Sequence, residues 1–176
     1  MDKISKKDQM NKNKINILRK KFKKYKIDGY IIPKNDDYFS EYAINDRLKK
    51  ITKFSGSAGI AVILKKNNYL FVDGRYTIQA HQESSKDFSI IEIHKKLPHT
   101  IIKNYNLGYD PSLFTNNTLK KYFIHNKLIS INQNLIDEIS KFNEKQTKPF
   151  YSLEKNIAGE THQSKISKVI KFLNSN

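Results

Sequence analysis

The sequence contains no cysteine. That excludes disulfides, thiolate metal ligands and cysteine nucleophiles, and it accords with a reducing, cytoplasmic setting. No apolar run approaches the roughly 20 residues needed to cross a bilayer, so no membrane partner is expected. The basic stretch over residues 1–26 lacks an uninterrupted apolar core and a small-residue cleavage site. A secretory signal is therefore not expected there. Arginine is scarce: of 33 basic residues, only Arg19, Arg47 and Arg75 are arginine. A net charge of +16 invites a nucleic-acid partner, but proteins that grip phosphate or read guanine favour the bidentate guanidinium fork. Lysine is spread along the whole chain among abundant Asn and Ile. This reads as compositional bias and a solvated surface, not as a nucleic-acid footprint. No internal repeat is apparent.

What is present describes a globular chain. With 176 residues, 38% hydrophobic and 11% aromatic, it suffices for one compact domain with a real core, plus an appendage. Ile15, Leu18, Phe22 and Tyr25 fall on one face of an amphipathic helix, which Asp28-Gly29 is expected to break. Tyr30 to Ile32 reads as a short buried strand stopped by Pro33, followed by a polar surface loop from Lys34 to Tyr42. Ala58 to Leu64 is apolar throughout, as in a strand covered on both faces. Lys65 to Asn68 supplies a turn into a second strand, Tyr69 to Val72, completing a hairpin. Helices are expected at 74–85, 97–105 and 116–125, and strands at 88–93, 107–109 and 127–131. Asn134 is placed to cap a helix carrying Leu135, Ile136 and Ile139. The alternation argues for an α/β sandwich whose sheet is mixed, because the early hairpin is antiparallel. Beyond Phe142 the texture turns polar, and a last helix near 161–173 carries Ile166, Val169, Ile170 and Leu173 on one face.

Two blocks stand out. Phe54-Ser55-Gly56-Ser57-Ala58-Gly59 runs into the apolar strand. It lacks the phosphate-loop lysine and the glycine spacing of a dinucleotide fingerprint, and a structural turn is the plain reading. Val72-Asp73-Gly74-Arg75-Tyr76 lies where a strand passes into a helix, with Asp73 able to cap and Gly74 able to turn. Arg75 then sits in the first helical turn, against the helix dipole. Its partner is either an external carboxylate or an acidic residue of the same domain.

These blocks, with Gly29 to Pro33, Ser40-Glu41-Tyr42, Arg47, Gln79-Ala80, Gly108 to Pro111, Asn134 to Asp137 and Lys148-Pro149, resemble the N-terminal domain of the aminopeptidase P group. That group belongs to the creatinase–prolidase superfamily, peptidase family M24. The resemblance covers nearly the whole chain. It departs from the family at Lys53, where members usually carry glycine. It implies a creatinase/prolidase N-terminal domain fold over residues 1–148, with residues 149–176 as a linker and the first helix of a second domain. The apolar stripe of the final helix would then pack on chain that follows; the other reading is that it folds back on the first domain. Longer members remove an N-terminal residue that precedes proline, using two metal ions, commonly manganese, in a catalytic domain. The resemblance implies that this chain alone is no enzyme, has no cofactor of its own and works in assembly, as a homodimer or with a metallopeptidase catalytic domain. It also implies that Arg75 contacts the peptide substrate. The alternatives are a stand-alone basic nucleic-acid-binding domain and a stand-alone protein-interaction domain.

Catalytic candidates within the chain are weak. His81, His94, His99, His125 and His162 form no HExxH pair, and no carboxylates surround them at ligand-like spacing. Gly56-Ser57-Ala58-Gly59 is not a nucleophile elbow. Asp36 and Asp37 are adjacent and point apart, unlike a proton-sharing pair. Tyr38, Phe39 and Tyr42 form an aromatic group better suited to an interface or a core than to stacking on bases. Neither catalytic nor metal-ligating residues are expected.

Overall fold

The computed structural model describes residues 6–40, 43–140, 149 and 151–175, with side chains from residue 12 onward. The chain divides into two compact units, Met1–Asn143 and Glu144–Asn176.

In the first unit, the elements run α1 Lys6–Tyr25, β1 Gly29–Pro33, α2 Arg47–Thr52, β2 Gly59–Leu64, β3 Asn68–Val72, α3 Thr77–Glu83, β4 Ser89–Glu92, α4 Pro98–Ile101, β5 Asn106–Tyr109, α5 Asn116–Phe123, β6 Lys127–Ser130 and α6 Leu135–Ile139. Short 3₁₀ turns at Gly74–Tyr76 and Pro111–Leu113 follow β3 and β5. The six strands form one sheet in the order β4-β3-β2-β1-β5-β6. β2 is antiparallel to both β1 and β3, and the other pairs are parallel. Helices cover both faces. The period-two alternation of the strands sorts their side chains cleanly between them. Tyr30, Ile32, Ala61, Ile63, Leu70 and Val72 meet Leu18 and Phe22 of α1, Leu48 and Ile51 of α2, Ala80 of α3 and Leu135 of α6. Ile31, Val62, Leu64, Phe71 and Leu107 meet Leu119 and Phe123 of α5. The mixed α/β sandwich expected from the sequence is the architecture observed.

Two local expectations need correction, and one short helix was unforeseen. Gly29 does not stop α1. The helix ends at Lys26, which turns left-handed at φ 52 while the Ile27 amide donates to the Phe22 carbonyl. Gly29 instead opens β1, where a Cβ would lie 2.5 Å from Leu64 Cδ2 and 2.8 Å from the Ile63 oxygen. The helix expected over 97–105 is a single turn, Pro98–Ile101. Ile102 is fully buried and extended at φ −105, ψ 106, so tertiary burial outweighs helical continuation. The Asn126 side chain takes the Ile102 carbonyl at 2.8 Å, and Asn104 at φ 63 turns the chain into β5. The helix Arg47–Thr52 was not anticipated, because six residues are too few for a periodic signal; Asp46 caps it by accepting from the Lys49 amide.

In the second unit, the described helices are α7 Lys155–Ala158 and α8 His162–Asn174. Thr161 caps α8 by accepting from the Ser164 amide. Ile166, Val169, Ile170 and Leu173 lie 51–67% exposed along one side of α8.

Candidate functional site

β1, β3, β4, β5 and β6 all run one way, so their carboxyl ends share one edge of the sheet. Because β2 is reversed, the Phe54–Ala58 block that precedes it arrives at that same edge. The two blocks singled out in the sequence are thereby brought together. Open α/β sheets present their functional loops at such an edge.

Asp73 begins the turn after β3: its carboxylate accepts from the Arg75 amide at 3.0 Å and from Arg75 Nε at 2.9 Å. The Arg75 hydrogen bonds hold the Asp73 carboxyl below the usual range, and nearby His94 adds to this. Of the two partners left open for Arg75, the structure shows the one within the domain. The Arg75 side chain nonetheless stays 73% exposed. It also lies 5.4 Å from the centroid of the Tyr76 ring, within cation–π range. Gly74 is required by close approach: a Cβ there would sit 2.8 Å from the His94 ring. His94, after β4, is itself 3.2 Å from Glu92.

Behind Arg75 the loop and helix α3 form one bonded unit. Ser57 Oγ and Tyr76 Oη share a 2.7 Å hydrogen bond. Phe54 packs edge-on against Tyr76, with ring centroids 6.0 Å apart. Gly56 closes the gap between them; a Cβ would lie 2.2 Å from Phe54 and 3.0 Å from Tyr76. The Ser55 amide and hydroxyl both donate to the Glu83 carboxylate, and Gln79 donates to Ser55 Oγ and Glu83. Burial pushes the Glu83 carboxyl up, but the bonds from Gln79 and Ser55 outweigh it and hold it low. The Phe54–Gly59 block is thus a structural turn, as its sequence suggested, and it is bonded and packed against the segment that carries Arg75.

A second polar group, not foreseen as a unit, anchors the other side of this edge. Arg47 grips Asp137 through two 2.8 Å hydrogen bonds. Buried Asp110 accepts from Asn134 at 2.8 Å and from Ser112 at 2.7 Å, while Ser112 also donates to Asp37. The Asp137 hydrogen bonds raise the Arg47 pKa further, against the pull of burial. Arg47 and the Asn134–Asp137 stretch had each been noted separately; no spacing in the sequence pairs them. Asp36 and Asp37 do separate, Asp36 bonding to its own turn and Asp37 facing Ser112 and Arg47. Glu41 and Tyr42 lie outside the described residues.

Among the described residues, no group of three or more His, Asp or Glu side chains converges to hold an ion. His99 and His125 stack edge to face at 5.7 Å, with His99 bonded to the Lys121 carbonyl. A two-metal cage needs several carboxylates and a histidine around ions about 3.5–4 Å apart, and the described residues do not assemble one. No helix among the described residues is long and apolar enough to cross a membrane.

A six-stranded mixed sheet with helices on both faces defines the class of domain, and comparison with known proteins gives the family. Residues 14–139 match the Creatinase/Prolidase N-terminal domain, and the chain belongs to that family. Its relatives are Xaa-Pro aminopeptidases of the M24 metallopeptidases. Xaa-Pro aminopeptidase 2 of Rattus norvegicus is 32% identical over 171 residues, covering 89% of this chain and 25% of the relative. The Homo sapiens Xaa-Pro aminopeptidase 2 is 31% identical over 170 residues, covering 86% and 25%. The chain thus spans about a quarter of the length of these relatives. Among solved structures, the X-prolyl aminopeptidase of Caenorhabditis elegans, described as a cytosolic enzyme with a di-nuclear active site, superposes with a TM-score of 0.77 at 24% identity. It covers 94% of this chain and 31% of that one. The fold inferred from the motifs is the fold observed.

Proposed function

We propose that this chain is the non-catalytic N-terminal domain of a Xaa-Pro aminopeptidase, serving assembly and the rim of the substrate site. The observation that best supports this is Arg75. It is exposed, tied to Asp73 and braced from behind by Tyr76, Ser57 and Phe54. A guanidinium presented in this way suits a peptide carboxylate or carbonyl at a neighbouring active site. On this reading the metal chemistry, two manganese or similar divalent ions, belongs to a separate catalytic domain. The domain acts in the cytoplasm as a homodimer or with that catalytic domain, and neither nucleic acid nor membrane is its partner. Residues 1–148 form the first domain and residues 149–176 a linker and the first helix of a second. The open apolar side of α8 supports this, since such a stripe is built to be covered.

The test is hydrolysis of a Xaa-Pro peptide by the purified chain with added manganese. No release of the N-terminal residue above the buffer rate is expected, and robust metal-dependent cleavage would overturn the proposal. In a full-length peptidase carrying this domain, Arg75→Ala is expected to raise KM more than it lowers kcat.

A further inference from the structure

A cleft of about 510 Å3 opens where the end of α1 meets the β2–β3 turn, a volume within the roughly 300–1,000 Å3 of small-molecule sites. It lies beside the start of β1, at the opposite end of the sheet from Asp73 and Arg75. The cations Arg19, Lys23, Lys26 and Lys65 line it against a single carboxylate, Asp28. Asp28 is already committed. Its Oδ1 accepts from the Lys65 ammonium at 2.5 Å and its Oδ2 from the Asn106 amide at 3.0 Å. The apolar residues at the wall, Phe22 and Ile27, are each only 2% exposed and offer little surface to an apolar ligand.

Arg19 is the centre of the cleft's chemistry. Its Nε donates to the Leu64 carbonyl and its Nη2 to Asn68 Oδ1, each at 2.9 Å. Asn68 is itself held, donating to the Asp87 carbonyl at 2.9 Å. A guanidinium has five N–H donors. The two bonds leave both hydrogens of Nη1 and one of Nη2, a fork of the kind that grips phosphate bidentately. Arg47 and Arg75 each touch a carboxylate, whereas among the described residues Arg19 touches only neutral oxygens. Burial works against its charge, and Asp87 supports that charge only through space. The ammonium groups of Lys23 and Lys26 likewise have no ion pair among the described residues. Lysine in a last helical turn offsets the negative end of the helix dipole, and that accounts for Lys23. It does not account for Arg19, a turn earlier and tied to the hairpin, or for Lys65, which comes from another element.

We infer that this cleft binds a small phosphate-bearing anion, with the open fork of Arg19 on one phosphate and Lys23 and Lys26 around its charge. Local charge selects the occupant. Cations gathered in one concave site without contacting carboxylates concentrate an anion of more than one charge. The inference stands apart from the peptide reading, since it uses neither Arg75 nor the carboxyl edge.

The experiment titrates the full chain with tripolyphosphate and with ATP by calorimetry, at about 150 mM salt so that diffuse surface attraction is screened. One anion per chain is expected to bind saturably and to shift the amide resonances of Ile27 and Lys65. Equal affinity for the two anions would assign the phosphate chain alone, and ATP binding at least tenfold tighter would assign a nucleotide; either supports the inference. Lys26→Gly should weaken binding at least fivefold while the melting temperature holds or rises, because it removes the ammonium and relieves a left-handed φ of 52. Arg19→Lys should weaken binding at least tenfold, since a point charge lacks the fork. Lys120→Gln, at an exposed position of α5, should change it less than twofold. No saturable binding, several anions per chain, equal weakening by Lys120→Gln, or a preference for a single-stranded oligonucleotide over both anions would each overturn the inference.

Discussion

At Lys53 the backbone turns left-handed, φ 74, to close α2, with its amide donating to the Lys49 carbonyl. This is the conformation that glycine adopts without cost and that a side chain resists by about 1 kcal/mol. Lysine at this position therefore holds the left-handed turn at an energetic cost that glycine would not carry. Lys53→Gly is expected to stabilise the chain by about 1 kcal/mol, read as a higher urea midpoint at unchanged slope. Glu83 makes a prediction about pH. Its folded pKa is depressed below the ordinary 4.5, so its contribution is present above that value and is lost as pH falls through the lower folded value. Stability should decline in acid below about pH 4.5, and Glu83→Gln should flatten that part of the profile followed by circular dichroism. The roles of Asp73 and Gly74 were legible because capping and turning are local. Glu83 was not, since Ser55 lies 28 positions away and no periodicity connects them.

Long periodic elements were the most readable. α1 and the β2–β3 hairpin follow from apolar spacing and turn residues alone, and the capping of α6 by Asn134 was visible in the sequence. Where reading failed, tertiary burial was the cause. Ile102 is drawn into the core and ends α4 after one turn, whatever helical preference the following residues hold. α8 presents the reverse case, an amphipathic helix of 13 residues whose apolar side is open. Isolated helices of that length are marginal in water. A synthetic peptide of residues 151–176 is expected to be mostly unfolded by far-ultraviolet circular dichroism in buffer, and to gain helix in trifluoroethanol.

For the molecule as a whole, cohesion of the carboxyl edge depends on contacts that no local rule could supply. Arg47 of α2 and Asp137 of α6 are 90 positions apart, yet they close a two-pronged pair on a side chain only 9% exposed. Removing one partner leaves a charge under cover without its counterion. Asp137→Ala is therefore expected to cost about 1.5–3 kcal/mol in denaturant unfolding, more than an exposed pair would. The single reversed strand has a consequence for anyone handling the protein. With β2 running backwards, the Phe54–Ala58 block shares one end of the sheet with the segments that follow β1, β3 and β5, and the tight Lys65–Asn67 bend lies at the far end. A fluorophore or affinity tag carried on that bend would sit at the opposite end of the sheet from Asp73 and Arg75, provided the Lys65 amide keeps its bond to the Asp28 carbonyl.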